Sequence, residues 1–588
     1  YDIIVLYCGG VLMRVSIKAT KNHEFVYIIK DFYHNKSRTT KIFEKLGKMD
    51  DLCAEKKMSR DEVISWAKEY AFELTSKEKS DNEDSTISFS PNRIIETDVL
   101  RKFNCGYLFL QNIYYKLNLD HVCKTIKSKY KFDYDINAIL SDLIYSRILV
   151  PSSKRSSFEF ASTLLEKPKY ELHDVYRALS VLSKESDYIQ SELYKNSHFI
   201  KKRNTNTLYY DCTNYYFEIE EDDDFRKYGK SKENRPNPII GMGLMMDGDG
   251  IPLAFNMYEG NKNEQVTLRP LEERIIKDFE LSKFIYCSDA GLASKNNKQF
   301  NRIQNRAYII TQSLKKLKKE DREVALRHCD FLELGHPFGK RINIDEIDFT
   351  IEANRNRVFY KELPIEKPFE ERLIITFSPK YAIYQKNIRD KQILRAINMI
   401  RKNGKLRKNT KNPNDPSRFI KKVTTDQNGE VIEESYLLSE DKITEEAMYD
   451  GFYAITTNLE DDDIKAILTV SERRWQIEEC FRIMKTDFKA RPVYLHNQDH
   501  IEAHFLTCFL SLVIYRLLAD MLGNQFTVTA LLNTLRDMEL VDTQYNGYIP
   551  AYTRSSLTDL LHERFGFRTD YEIISKKKIR NIIKNTKV

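Results

Sequence analysis

Apolar residues along this chain recur at two spacings, and the spacing changes near residue 206. Close to the start, VLMRVSIKAT and EFVYIIKDFY carry Val, Ile, Phe and Tyr at period two, which predicts strands. SRDEVISWAKEYAFELTSKEK then predicts a helix opening on Ser59 as its cap. The polar stretch KSDNEDSTISFSPNR that follows has the composition of a linker. From Glu96 to Phe199 the apolar positions return every three or four residues, as in INAILSDLIYSRIL and VYRALSVLSKESDYIQSELY, so this segment reads as all-α.

From Asn206 the pattern is that of a mixed sheet. TNTLYYDCTNYYFEIE predicts a strand with an acid in its middle, and PIIGMGLMMDGDGIPLAFNMYEG predicts two strands joined by an Asp-Gly-Asp-Gly hairpin. A helix (EQVTLRPLEERIIKDF), a strand ending on Asp289 (KFIYCSDAG), a helix (SKNNKQFNRIQ) and a strand (RAYIITQS) complete the α/β ordering. Between Ser313 and Asp450, IDEIDFTIEA, NRVFYKEL, RLIITFS and ESYLLSE predict further strands, and DGFYAITTN returns to the earlier pattern. SERRWQIEECFRIMKTDFKA (Ser471–Ala490) then predicts an amphipathic helix. The apolar run FLTCFLSLVIYRLL is shorter than a membrane span and reads as a buried helix.

At 588 residues the chain exceeds what one hydrophobic core organises, so about two to four domains are expected. The divisions are a 1–95 N-terminal α/β region with its linker, a 96–205 helical region, a 206–313 first part of a core and a 314–449 β-rich insertion with a basic segment. A 450–518 second part of the core and a 519–588 C-terminal helical region with a basic tail follow.

The balance of 94 Lys and Arg against 87 Asp and Glu gives a net charge of +7, which neither demands nor excludes a polyanionic partner. The distribution changes that picture: Arg395 to Lys422 holds ten basic residues and one acid, and KKKIRNIIKNTKV holds six and none. Such runs can neutralise several phosphates. The nine cysteines are odd in number, scattered and never spaced as CxxC, which points to a reducing compartment and away from a disulfide framework or a structural zinc site. YDIIVLYCGGVLMRV lacks the basic leader of a signal peptide, so a cytoplasmic location with no membrane partner is expected.

Three acids carry the candidate chemistry. Asp211 sits among apolar and aromatic residues, Asp289 ends a strand, and Glu478 lies on the amphipathic helix. On a wheel with Arg474 at the origin, Lys485 falls at about 20°, Glu478 at about 40° and Arg482 at about 80°, while Ile477, Phe481, Met484 and Phe488 gather between about 280° and 340°. One face packs and its neighbour presents a carboxylate ringed by three cations. Such a ladder by itself is ordinarily a set of weak surface ion pairs. An acid inside an apolar strand, in contrast, needs a partner. Three acids converging at a sheet end meet that need by holding Mg²⁺ or Mn²⁺, and a pair of such ions suits phosphodiester chemistry. Glu479 points about 100° from Glu478 and reads as a solvated or ion-paired neighbour. MMDGDG lacks the ligands of a calcium loop and reads as a turn. Cys212 and Cys287 read as strand packing.

LYYDCTNYYFE, YCSDAGLAS and RRWQIEECFRIMK resemble the three acidic motifs of DDE transposases from bacterial insertion sequences. The last is similar to the signature Tyr-x2-Arg-x3-Glu-x6-Lys of one branch, with Arg474, Glu478 and Lys485 in register and Ser471 where the signature has Tyr. The resemblance runs from about Thr207 to Leu518. It implies a multidomain α/β protein with a ribonuclease H-like catalytic core interrupted by a β-rich insertion, preceded by α/β and all-α N-terminal regions. It implies Asp211, Asp289 and Glu478 as the catalytic, metal-binding triad for two Mg²⁺ (or Mn²⁺) ions, and phosphate contacts from Arg474 and Lys485. Arg482, from the wheel, and Lys230, Lys232, Arg235, Lys405, Arg407 and Lys408, from the basic segments, are added as DNA-binding candidates. The partners implied are transposon-end DNA and target DNA, gathered by a dimer in the synaptic complex of a bacterial, nucleoid-associated protein. The only Trp residues are Trp66 and Trp475, so the Trp with which hairpin-forming relatives stack a flipped base has no counterpart in the insertion. The alternatives are a ribonuclease H-like repair or recombination nuclease and a non-catalytic DNA-binding relative.

Overall fold

A computed structural model describes residues 13–19, 23–34, 37–81, 91–92, 94–336, 338–366, 369–401, 414–425, 431–544 and 547–588. They divide into two compact units, one made of Tyr1–Lys102, Leu540–Ala551 and Thr569–Ile582, the other of Phe103–Glu539, Tyr552–Arg568 and Ile583–Val588.

In the first unit the period-two stretches form β1 (Met13–Ala19) and β2 (Glu24–His34), and a third strand, β3 (Ser37–Lys48), pairs antiparallel with β2. β3 contains KIFEKLGK, whose polar content gave no strand signal. Helices α1 (Met49–Lys56) and α2 (Arg60–Asp81) cover the sheet, burying Val26, Met49, Leu52, Val63 and Ala67 together. Ser59 opens α2 as expected: its hydroxyl accepts from the Glu62 amide at 3.4 Å while the Glu62 carboxylate accepts from the Ser59 amide at 2.7 Å, a reciprocal cap. Most of the expected linker lies outside the described residues. β4 (Lys102–Asn104) follows, and near the C-terminus β16 (Glu539–Asp542) pairs with β17 (Tyr548–Pro550).

The second unit begins with helices α3 (Tyr107–Lys116), α4 (Leu119–Lys129), α5 (Ile136–Leu149), α6 (Lys154–Ala161), α7 (Leu172–Lys184) and α8 (Ser186–Ser197). The strands expected from residue 206 follow: β5 (Thr207–Tyr216), β6 (Ile239–Asp247) and β7 (Pro252–Glu259) form an antiparallel meander. After α9 (Leu268–Asp278), β8 (Ile285–Ser288) joins β5 in parallel, and after α10 (Lys295–Phe300), β9 (Ala307–Thr311) joins β8 in parallel. The Asp-Gly-Asp-Gly segment is the expected turn and not a calcium loop. Asp247 is buried there, its carboxylate accepting from Arg203 Nε at 2.6 Å and from the Ile251 amide at 2.9 Å.

Residues 314–449 hold α11 (Lys319–Leu326), β10 (Leu332–Glu333), α12 (Glu352–Arg355), β11 (Phe359–Ile365), β12 (Glu371–Phe377), α13 (Pro379–Arg401), β13 (Ile420–Thr425), β14 (Val431–Leu438) and α14 (Glu440–Ala447). One expectation changes here. IDEIDFTIEA is a 3₁₀ turn and the start of α12, because its alternating Ile and Phe pack as single contacts under loops rather than along a ladder. The basic run is helical as far as Arg401, the last residue of the 23-residue α13. Through β15 (Phe452–Thr457), strands β12, β11 and β10 extend the main sheet. Among the described residues it has nine strands in the order β10-β11-β12-β15-β9-β8-β5-β6-β7, a mixed sheet.

The C-terminal part of the unit runs through α15 (Ile464–Glu472), α16 (Trp475–Arg482), a π-helical turn (Ile483–Asp487) and α17 (Gln498–Met521). α9 and its neighbours cover one face of the sheet, where Tyr210, Cys212, Leu271, Ile275, Tyr286 and Tyr308 are buried together. α15 to α17 cover the other: the Tyr209 hydroxyl donates to the Val470 carbonyl at 2.9 Å, and Tyr215 packs on Phe505 with ring centroids 4.6 Å apart. The apolar run near the C-terminus lies within α17. The whole helix is long and apolar enough to cross a membrane by length and composition, but 89% of its most apolar window is buried in the protein, against α3, α5, α7 and β7.

Glu272 on α9 is fully buried and accepts one hydrogen bond, from Asn301 Nδ2 at 2.8 Å. Its Oε2 and Asn301 Oδ1 are both acceptors without partners, and a proton on Oε2 makes one of them a donor. Burial pushes this carboxyl up to about 8. The folded state therefore holds a proton that the unfolded chain releases near pH 4.5, so the stability present below that pH is lost as pH rises towards 8. Glu272→Gln is expected to flatten this slope and to melt higher than the parent at pH 8, measured by thermal unfolding from pH 5 to 8.5. A parent whose melting temperature does not fall over that range would refute the assignment.

Candidate active site

Side chains alternate along β5, so Tyr209, Asp211 and Tyr215 share the face covered by α15 to α17, while Tyr210 and Cys212 face α9. A Cβ on Gly243, opposite Cys212, would come within 2.1 Å of the Tyr210 hydroxyl, so glycine is required beside this strand. The parallel register between β5 and β8 pairs Thr207 with Ile285 and Tyr209 with Cys287. Continued by two residues, it sets Asp211, in the middle of β5, opposite Asp289, which directly follows the carboxyl end of β8. Asp289 caps a 3₁₀ turn, its Oδ1 accepting from the Gly291 amide at 2.9 Å.

The Asp211 carboxyl accepts from the Cys212 amide at 2.7 Å. Burial, then the charge of Asp289, push it up to about 6, against the pull of the Lys232 ammonium. Lys232 reaches this position because its loop is pinned to β5: its amide donates to Asn214 Oδ1 at 3.1 Å, and Asn214 Nδ2 donates to the Lys230 carbonyl at 3.0 Å. The Lys232 ammonium pairs with Glu264 at 3.2 Å. Burial opposes its charge, but Asp211 and Glu264 outweigh that and raise its pKa.

The amphipathic helix is not one regular α-helix. Arg474 is the N-cap residue of α16, and the backbone passes from α16 into the π turn at Ile483, so the wheel holds for Ile477 to Arg482 and slips beyond. The packing face is as expected, with Ile477, Phe481, Met484 and Phe488 buried. Arg474 turns inward: its guanidinium donates to the Ser288 carbonyl at 3.1 Å and to the Thr311 hydroxyl, tying the start of α16 to the ends of β8 and β9. Glu478 lies exposed on α16, which packs against β5. Lys485 pairs with Glu233 at 3.3 Å and lies over the Tyr215 ring. Burial and the Lys232 charge push it down to about 8, with Asp211 opposing.

The structure thus brings Asp211, Asp289, Lys232 and Lys485 into one neighbourhood. It does not gather the three candidate acids into one ligand set: among the described residues no group of three His, Cys, Asp or Glu side chains is arranged to hold a metal ion. Arg482 is half-exposed and pairs with Asp487 at 3.2 Å. Lys230 and Arg235 are exposed, Arg235 over the Tyr216 ring. Lys405, Arg407 and Lys408 lie outside the described residues. Glu479 is ion-paired, with Arg516 at 2.9 Å. Burial pushes Cys212 up to about 11 and Cys287 up to about 12, so neither is a thiolate at neutral pH. Sequence reasoning missed Glu233, Glu264 and Arg491. Single charges in loops and short turns carry no periodic signal.

A family model described as the transposase DDE domain matches residues 216–514, just over half of the chain. The chain belongs to the DDE transposase family. The matched span of this transposase starts after Asp211 and includes Asp289 and Glu478. Its function is that of a DNA transposase, and the family generally uses divalent metal ions. No curated protein matches the chain. Among solved structures, the chain is similar to a piggyBac transposase synaptic complex with hairpin DNA, at 10% identity over 82% of this chain and 84% of that one, with a TM-score of 0.33. It is also similar to a Mos1 transposase paired-end complex with left transposon end, at 11% identity over 41% of this chain and 65% of that one, with a TM-score of 0.14. Both likenesses are slight.

Proposed function

We propose that this transposase cuts and pastes a bacterial insertion sequence, with Asp211, Asp289 and Glu478 as its metal-binding triad. The observation that carries this reading is the register that sets Asp211 opposite Asp289, with α16 packed over the same strand. The antiparallel meander β7-β6-β5, continued by parallel β8 and β9, supports a ribonuclease H-like core, with 314–449 as its insertion and the six divisions given above as the domain plan. The signature Tyr-x2-Arg-x3-Glu-x6-Lys is carried by Arg474, Glu478 and Lys485.

The donor set fits a hard divalent cation. Two carboxylates, one with its proton affinity raised by burial and by the other's charge, gain from a shared cation, and oxygen donors suit Mg²⁺ or Mn²⁺. Two such ions, when bound, supply activation of the attacking hydroxyl and stabilisation of the leaving oxygen. The residues of the chain position the rest. Arg474 holds α16 on the ends of β8 and β9, so Glu478 is presented from a fixed helix start. Lys232 and Lys485 offer ammonium groups beside the reacting phosphate, and Lys230, Arg235, Arg482 and the basic run through Lys405, Arg407 and Lys408 follow the DNA backbone. Water first attacks the phosphodiester at the element end, and the freed 3′-OH then attacks target DNA. The protein acts in the bacterial cytoplasm, nucleoid-associated, and as a dimer joins two ends.

The test is to incubate the protein with Mg²⁺, a plasmid and a duplex bearing the inverted repeats that flank its reading frame. Element ends joined to plasmid are expected. Cut ends that never join would reduce the protein to a nuclease, and intact ends would sink the reading.

A further inference from the structure

A cavity of about 280 Å³ opens between the start of α6 and the segment after the π turn, lined by Arg147, Lys154, Tyr176, Lys489, Arg491 and His504 among others. No acid is among its lining residues. Lys154, the first residue of α6, is only 4% exposed, and its ammonium has no hydrogen-bond partner among the described residues. Buried charges are ordinarily paired, so an unpaired ammonium aimed into a cavity marks a place for an anion.

The other groups agree. Arg147 is fixed as a wall, its Nη1 donating to the Phe488 carbonyl at 3.1 Å and its Nη2 to the Ser152 carbonyl at 3.0 Å, while its Nε is left without a partner. The Ser152 hydroxyl is also unpartnered. Ser153 caps α6, so the positive end of the helix faces the same space. His504 donates from Nε2 to the Ala490 carbonyl at 3.0 Å, and burial holds its ring well below the usual range, so it adds no charge of its own. Burial and the Arg147 charge push Lys154 down to about 7, a shift that an anion would reverse.

The cavity adjoins the candidate active site through one ion-pair chain. Arg491 in its wall pairs with Glu233, which also holds Lys485, and Lys485 lies in the field of Asp211. The volume suits a phosphate with its sugar and excludes a duplex. We propose that this cavity seats a backbone phosphate of a single DNA strand leading to the cut end, with Lys154 as the principal contact. The inference rests on the transposase reading for the identity of the strand.

The test uses the full chain without divalent metal and a labelled duplex of arbitrary sequence bearing a single-stranded tail, titrated at several salt concentrations. Lys154→Met is expected to weaken binding about tenfold, to reduce the slope of log affinity against log salt by about 0.7, and to raise the melting temperature because a buried unpaired charge is removed. Lys489→Asn, at an exposed position with φ of 45° that Asn tolerates, keeps the test open if Lys154→Met fails to fold, and it is expected to weaken binding in the same direction. Inorganic phosphate should stabilise the parent and compete with the tailed duplex. Unchanged affinity and salt slope in the variants would overturn the proposal. So would phosphate stabilising the parent with no competition, since the cavity would then take the free ion and not a strand. Because binding is read without metal, a protein that binds through Lys154 but never cuts fails only the transposase reading, and one that cuts but binds unchanged as Lys154→Met fails only this one.

Discussion

Asp211→Asn and Asp289→Asn proteins are each expected to lose end cleavage by about a thousandfold or more, while melting at or slightly above the parent's temperature. The activity loss follows from the neutral amide, which is a weak ligand for a hard cation and cannot replace a carboxylate between two ions. The retained fold follows from the contacts. The Cys212 amide bond to Asp211 and the Gly291 amide bond to Asp289 both have an oxygen acceptor that Asn retains, and the repulsion between two facing carboxylates is removed. Cleavage with Mg²⁺ and thermal unfolding, measured on the same preparations, check both halves; a parent-like rate in either variant would remove that residue from the site. The third acid is separable by the same assay. Glu478→Gln is expected to fall as far, whereas Glu264→Gln, which removes only a partner of Lys232, is expected to remain active. The reverse result would move the third ligand from α16 to the turn before α9.

Arg203→Ala is expected to destabilise the larger unit by about 3 to 5 kcal/mol, because it leaves a buried carboxylate without its counter-charge. Arg203 and Asp247 have side chains 1% and 0% exposed. The guanidinium makes four hydrogen bonds: beyond Asp247 it donates to the Ser197 hydroxyl and to the Ile251 and Pro252 carbonyls, each at 3.0 Å. These bonds fasten the β6–β7 turn to the end of α8. Asp247→Asn, which keeps an acceptor for the turn amides but strands the Arg203 charge, is expected to fall in the same range. Denaturant unfolding with linear extrapolation reads the loss, and a change below about 1 kcal/mol in both variants would show that the pair is dispensable. Asp247 pairs with Leu208, three residues before Asp211, and its carboxylate is engaged by Arg203 and the Ile251 amide, so cleavage per folded molecule should be preserved.

The sequence by itself determined the strands around the acids and the order of elements from β5 to β9. Period-two runs, an Asp-Gly turn and capped helices are local properties that the chain expresses wherever it packs. It also marked Asp211 and Asp289 as acids in or at the end of apolar strands, and the packing face of α16. Only the tertiary structure decided what those elements meet. The parallel register that sets Asp211 opposite Asp289 joins residues 78 positions apart, and no local period encodes it. The π turn that moves Lys485 off the wheel, the inward turn of Arg474 onto Ser288 and Thr311, and the capture of Lys232 by Asp211 and Glu264 all depend on neighbours distant in sequence. Lys154 shows the difference most plainly. In SSKRSS it reads as one cation among surface residues, and it becomes a buried, unpaired charge only because the segment after the π turn and α17 close over it. Periodicity reports which face of an element is apolar; which charges are buried together is set by the packing of elements far apart in the chain.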